Sequence, residues 1–81
     1  SQYLASYAYL QIRLNRPQEA IEAIVSSHGN NPTIGELNAA LGTAYFVKGD
    51  WDIARSYLET AKKQGIEADQ IEEMLQVIEG K

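Results

Sequence analysis

The sequence predicts an all-α protein: two helical hairpins followed by a C-terminal capping helix, five helices in all. Three observations predict it. Apolar residues recur at spacings of three and four in five separate stretches. The two prolines, Pro17 and Pro32, fall between those stretches, and glycines mark several of their ends. Small residues return at an offset of 34, most plainly at Ala20 and Ala54. With 81 residues the chain is one domain. The expected division is a first repeat at about 1–34, a second at about 35–68 and a capping helix at about 69–79.

The first helix is expected from Gln2 to Leu14. Leu4, Tyr7, Ala8, Gln11 and Leu14 make its stripe, with one polar interruption, and Tyr3 and Leu10 widen it. Asn15 suits the left-handed conformation that ends a helix. Pro17 suits the first turn of the next helix, where a missing N–H costs nothing. That second helix runs to about Ser27 on an apolar face of Ala20, Ile21, Ile24 and Val25, and Gly29 stops it.

Thr33 opens the third helix. Glu36, three residues later, completes the pattern of a capping box, in which hydroxyl and carboxylate each accept from a free N–H. Its face is Leu37, Ala40, Leu41, Ala44, Tyr45 and Val47, and Gly49 ends it. Asp50 is placed to cap the fourth helix. There Trp51, Ala54, Tyr57, Leu58 and Ala61 form the stripe. Lys62 and Lys63 complement the dipole of the last turn. The fifth helix begins near Asp69 with Ile71, Met74, Leu75 and Ile78 on one face and Glu72, Glu73 and Glu79 on the other. A soluble outer face of this kind suits the end of a stacked array.

Between the two halves, residues 1–34 and 35–68, strict identity across the 34-residue offset is confined to Ala5/Ala39 and Ala20/Ala54. The repeat lies in residue class: Ala8 and Gly42 are both small, Asn15 and Gly49 are both turn formers, and Ile24 and Leu58 are both aliphatic. With Leu41-Gly42, Tyr45, Asp50-Trp51, Ala54, Leu58 and Ala61, the second unit resembles the tetratricopeptide repeat family, whose period is 34 residues. It departs at Asn38, where a large apolar residue is usual, and at Ile66, where proline is usual. The first unit matches more loosely through Leu4, Tyr7, Ala8, Ala20, Ile24 and Pro32. Gln11 there replaces the usual aromatic. The resemblance covers about residues 1–68 and implies a short right-handed α-solenoid.

Small residues at Ala8, Ala20, Gly42 and Ala54 let helix axes approach. Tyr7, Leu41, Tyr45 and Leu58 are expected to fill the space between them.

Composition narrows the function. A net charge of −4 and a pI of about 4.8 make a nucleic-acid backbone a poor partner. No apolar run approaches the ~20 residues of a membrane span. No signal peptide is visible at the start of the sequence. With no cysteine and one histidine, neither a metal site nor a cofactor is expected. The absence of cysteine suits both cytoplasm and periplasm, and the cytoplasm is the expectation. His28 is expected at a helix C-terminus as a dipole partner or surface residue. Ser26 and Ser27 adjoin it, but helix neighbours do not face each other, and no Asp or Glu lies between residues 23 and 35 to orient the ring. Glu72 and Glu73 diverge around their helix as a solvated face. Trp51 is expected in packing. No enzyme activity is expected.

The resemblance implies a concave groove lined by the first helix of each pair. Mapped onto this chain, it is lined by Gln2, Ala5, Tyr9, Ile12 and Arg13 from the first helix. The third contributes Glu36, Ala39, Thr43, Phe46 and Val47, and the fifth Gln70, Glu73 and Val77. Tyr9, Ile12, Phe46 and Val47 are also large apolar residues that the main stripes do not fully absorb, a mark of interaction surface. The best-known peptide-binding members grip a C-terminal carboxylate with Lys, Arg and Asn. Here only Arg13 could serve and Glu36 would oppose an acid. The expected partner is therefore an apolar or amphipathic protein segment held by an adaptor, assembly factor or chaperone. Contact with another repeat or with a second copy in a self-associating scaffold, and plain exposure, stay open beside it.

Overall fold

The computed structural model describes residues 2–66 and 68–81, Gln2 through its backbone alone. Among the described residues five α-helices follow one another: α1 Gln2–Arg13, α2 Pro17–His28, α3 Gly35–Lys48, α4 Trp51–Lys63 and α5 Asp69–Glu79. No strand occurs among the described residues. The protein is all-α.

Turn chemistry sets most of the boundaries. Asn15 takes φ 62°, and Gly49 and Gly65 both take φ 91°. These left-handed residues let the last carbonyls of α1, α3 and α4 accept bonds from N–H groups that fold back on them. Pro17 stands in the first turn of α2, as expected.

The N-terminal caps differ from expectation. α3 starts at Gly35 behind Ile34, and no side chain caps it, so Thr33 and Glu36 form no capping box. Asn38 and Gln64 hold that loop instead. Asn38, 1% exposed, donates from Nδ2 to the Pro32 carbonyl at 2.8 Å and to Gln64 Oε1 at 2.8 Å. Gln64 Nε2 donates to the Thr33 carbonyl at 3.0 Å. The buried amide therefore has partners for its donors, and it ties the start of α3 to the end of α4. Asp50 occupies the N-cap position of α4 without a capping bond, and its carboxylate lies 4.0 Å from Lys48 Nζ.

α3 is the central helix. It packs on α1, α2, α4 and α5, while the backbones of α1 and α5 stay apart. Its buried residues divide between two clusters. Leu37, Ala40, Leu41 and Ala44 join Ala5, Ala8, Ala20, Ile21 and Ile24 from the first hairpin. Ala39 joins Ala54, Leu58, Ala61, Ile71, Leu75 and Ile78 from α4 and α5. Positions 34 apart share burial: Ala20 with Ala54, Ile24 with Leu58, Leu41 with Leu75. α5 is fastened further by Lys62 Nζ, 2.7 Å from Glu72 Oε1, which holds the ammonium above its usual pKa.

The α3–α4 crossing is close. A Cβ on Gly42 would lie 2.7 Å from the Leu58 side chain and 3.1 Å from its backbone nitrogen. Beside it Tyr45 and Tyr57 stack at 5.7 Å with rings 6° apart, and the Tyr57 hydroxyl donates to the Asn30 carbonyl. Burial raises the Tyr57 pKa, and Tyr45 adds to it.

α1 is turned relative to its predicted stripe. Ala5 and Ala8 point inward, with Leu4, Tyr9 and Ile12 packed around them. Tyr7, expected as interhelix filler, is 43% exposed, and Leu14 is 54% exposed. Gln11, which resembled an interruption, is buried, and its Oε1 has no hydrogen-bond partner. α1 must fit both α2 and α3, and its alanines are the side chains that allow both approaches.

Candidate functional site

Three helices that are not consecutive in sequence build one groove. α1 contributes Tyr9, Ile12 and Arg13, and α3 contributes Thr43, Phe46 and Val47. α5 contributes Gln70, Glu73, Met74 and Val77. The cavity they line has a volume of about 490 Å³. All eight residues singled out at its centre from the sequence (Tyr9, Ile12, Arg13, Thr43, Phe46, Val47, Glu73 and Val77) lie on it together. Tyr9, Thr43 and Val77 stand 34 residues apart in turn, so the groove runs across equivalent positions of α1, α3 and α5.

Of the other expected groove residues, Gln70 also lines this cavity, while Ala5, Glu36 and Ala39 sit elsewhere. Ala5 and Ala39 are 6% and 3% exposed and belong to the core. With Glu36, Tyr3, Ser6 and Ile66 they border a second cavity of about 450 Å³, which shares Tyr9 with the first. Tyr9 is thus the wall between the two. Gln2 lies outside the residues whose side chains are described. Met74 was assigned to the core stripe of α5 alone. It is half-buried, packs on the second cluster and also lines the groove. The signal for it was the width of the α5 stripe, since a residue at the stripe's edge meets both core and solvent.

The floor of the groove is firm and its rim is open. Phe46 packs edge-on against Trp51 at 5.3 Å with rings 70° apart, and both lean on the second cluster. Trp51 is thus a packing residue, as expected, and Lys81 Nζ sits 4.8 Å above its ring. Thr43 Oγ1 donates to the Ala39 carbonyl at 2.8 Å. Burial raises the Tyr9 pKa, the Thr43 hydroxyl opposes that shift, and the Glu36 carboxylate adds to it. The phenol is accordingly a neutral donor at physiological pH. Val47 of α3 and Val77 of α5 are 45% and 46% exposed. Arg13 and Glu73 bring one charge of each sign to the rim. Such a surface offers an apolar strip with polar ends, a shape suited to a peptide side-chain row rather than to a small polar solute.

His28 is exposed in the last turn of α2, but one expectation about it fails. Ser27 Oγ lies 2.9 Å from His28 Nδ1, although they are sequence neighbours. Ser27 Oγ also reaches the Ala23 and Ile24 carbonyls at 3.1 and 3.3 Å. Its single proton serves those carbonyls, and the contact arises where the helix ends and the imidazole can fold back. No group of three or more metal-ligating side chains occurs among the described residues, and no helix there is long and apolar enough to cross a membrane. No protein-family model, curated protein or solved structure matches the chain.

Proposed function

We propose that this chain is a tetratricopeptide-like interaction module, a short right-handed solenoid that holds an apolar or amphipathic segment of a protein partner in the α1–α3–α5 groove. The observation that carries the reading is the convergence of Tyr9, Ile12, Phe46, Val47 and Val77 from three helices on one open apolar cavity. Exposed apolar surface of this kind, rimmed by charge, is where a soluble chain meets a partner. An adaptor, assembly factor or chaperone working in the cytoplasm fits this arrangement. The segment docks its side chains along the row Tyr9–Thr43–Val77, with the Tyr9 hydroxyl donating to its backbone.

The test is affinity capture from source lysate with three baits: the native chain, Val47→Glu and Val77→Glu. Both valines are about half exposed, so a carboxylate there leaves the core intact. The expected outcome is a partner retained by the native chain and lost by both variants, with helicity by circular dichroism unchanged. Equal capture by all three baits places the binding surface elsewhere.

A further inference from the structure

Outside the groove, α1 carries a second apolar surface. Tyr3, Tyr7, Leu10 and Leu14 are 91%, 43%, 49% and 54% exposed. They follow the helical spacing four, three, four. The Leu14 N–H donates to the Leu10 carbonyl at 3.0 Å, so the helical path continues to the end of the row. Thirty-four residues later, the corresponding Leu37, Leu41 and Ala44 of α3 are wholly buried against the first hairpin. The fold covers this face with helices in one place and leaves it bare in the other, so the shape of the bare face is one that receives a helix.

Two features say which helix. Among the described helices α1 carries the fewest charged side chains, Arg13 alone, and no carboxylate, in a protein whose net charge is −4. Two copies therefore bring little like charge together where α1 meets α1. The row is also its own complement when reversed. In an antiparallel pair centred between Tyr7 and Leu10, Tyr3 of one copy meets Leu14 of the other, and Tyr7 meets Leu10. Arg13 and Arg16 of the two copies then lie at opposite ends of the pair, whereas parallel packing would set them side by side. We infer that this chain self-associates as a two-fold dimer through antiparallel packing of α1 on the Tyr3–Tyr7–Leu10–Leu14 face. A two-fold axis uses the same patch twice and closes the assembly at two chains. Four side chains and their flanks fall short of the ~800 Å² per partner of a standard interface, so the dimer is a weak one that forms with rising concentration.

Sedimentation equilibrium over a wide concentration series tests this. The weight-average mass is expected to climb from the 9.0 kDa of one chain toward twice that and no further. Leu10→Glu puts two carboxylates at the two-fold axis and is expected to hold the mass at one chain throughout, with helicity retained because Leu10 is half exposed. Val47→Glu, in the groove, is expected to dimerise like the native chain. The chain has no cysteine, so Tyr3→Cys and Leu14→Cys chains can be mixed and oxidised. Disulfides between unlike chains are expected to predominate. A native chain that stays monomeric overturns the inference. A dimer that survives Leu10→Glu, or disulfides mainly between Tyr3→Cys chains, overturns it equally.

Discussion

In the second hairpin, α3 and α4 approach over Gly42, whose missing Cβ is the space Leu58 fills, and Tyr45 stacks on Tyr57 alongside. One repeat earlier, α1 and α2 meet over Ala8, with Gln11 in the place of Tyr45 and Ala23 in the place of Tyr57. The register is the same and the packing is not. The first hairpin buries an amide oxygen without a partner and leaves four large apolar side chains of α1 in solvent. The second has a ring stack and a buried Asn38 with partners for its donors. A repeat unit can thus keep its helix placement while its packing differs from one copy to the next. The loose copy is the one whose outer face remains available.

The largest effect that bears on this contrast comes from emptying each crossing. Leu58 and Ile24 are both wholly buried at corresponding positions. Leu58→Ala and Ile24→Ala each fall in the range of about 2–5 kcal/mol. Leu58→Ala is expected at the upper end, because the wall it leaves behind is the α3 backbone at Gly42, which has no side chain to lean into the void. Urea denaturation of the two variants checks the order. A greater loss from Ile24→Ala would reverse the assignment of the tight hairpin.

How much of this was legible in the sequence follows from what decides each feature. Helix number and most boundaries are set locally, by periodicity and by residues such as Asn15, Gly49 and Pro17, whose backbone preferences act within a turn. The groove was legible because equivalence at 34 residues carries position on a helix face, which is how Tyr9, Thr43 and Val77 could be named together. What the sequence hid was set by distant partners. Thr33 and Glu36 carry the letters of a capping box, but Gln64, some thirty residues away, takes the Thr33 carbonyl and Asn38 the Pro32 carbonyl. Asn38 looked like a defect because its partners lie in other segments. Tyr7 left its expected place, while Gln11 stayed buried on the stripe, because α1 answers to α2 and α3 together and a single periodic stripe describes only one neighbour.

A smaller effect sharpens the contrast. Gly42→Ala gains about 1 kcal/mol of helix propensity, yet its Cβ would sit 2.7 Å from a side chain with no room to retreat, since Leu58 is wholly buried. Overpacking of this kind costs about 1–3 kcal/mol. The clash outweighs the propensity, and a net loss of up to roughly 2 kcal/mol is expected. The reciprocal change in the first hairpin, Ala8→Gly, relieves no clash and is expected to cost about 1 kcal/mol through backbone entropy. If Gly42→Ala raises the denaturation midpoint instead, the α3–α4 crossing is looser than described.

The smallest effect has the opposite sign. Gln11 is 9% exposed and its Oε1 has no partner, so folding strips water from an amide oxygen and offers nothing in return. Leaving such a group unpaired costs about 1–3 kcal/mol. Gln11→Leu removes the polar atom and keeps a side chain of similar bulk at a buried position of α1. Part of the gain is offset because leucine is shorter and branched and does not refill the space in full. A net stabilisation of about 1 kcal/mol is expected, which for a domain of this size raises the melting temperature by roughly 4–8 °C. The equivalent change in the second hairpin, Tyr45→Leu, breaks the stack on Tyr57 and is expected to lower it. Opposite signs at positions 11 and 45 are what the comparison of the hairpins requires. A fall in melting temperature at both would mean that the Gln11 amide is satisfied in solution and that the first hairpin is as well packed as the second.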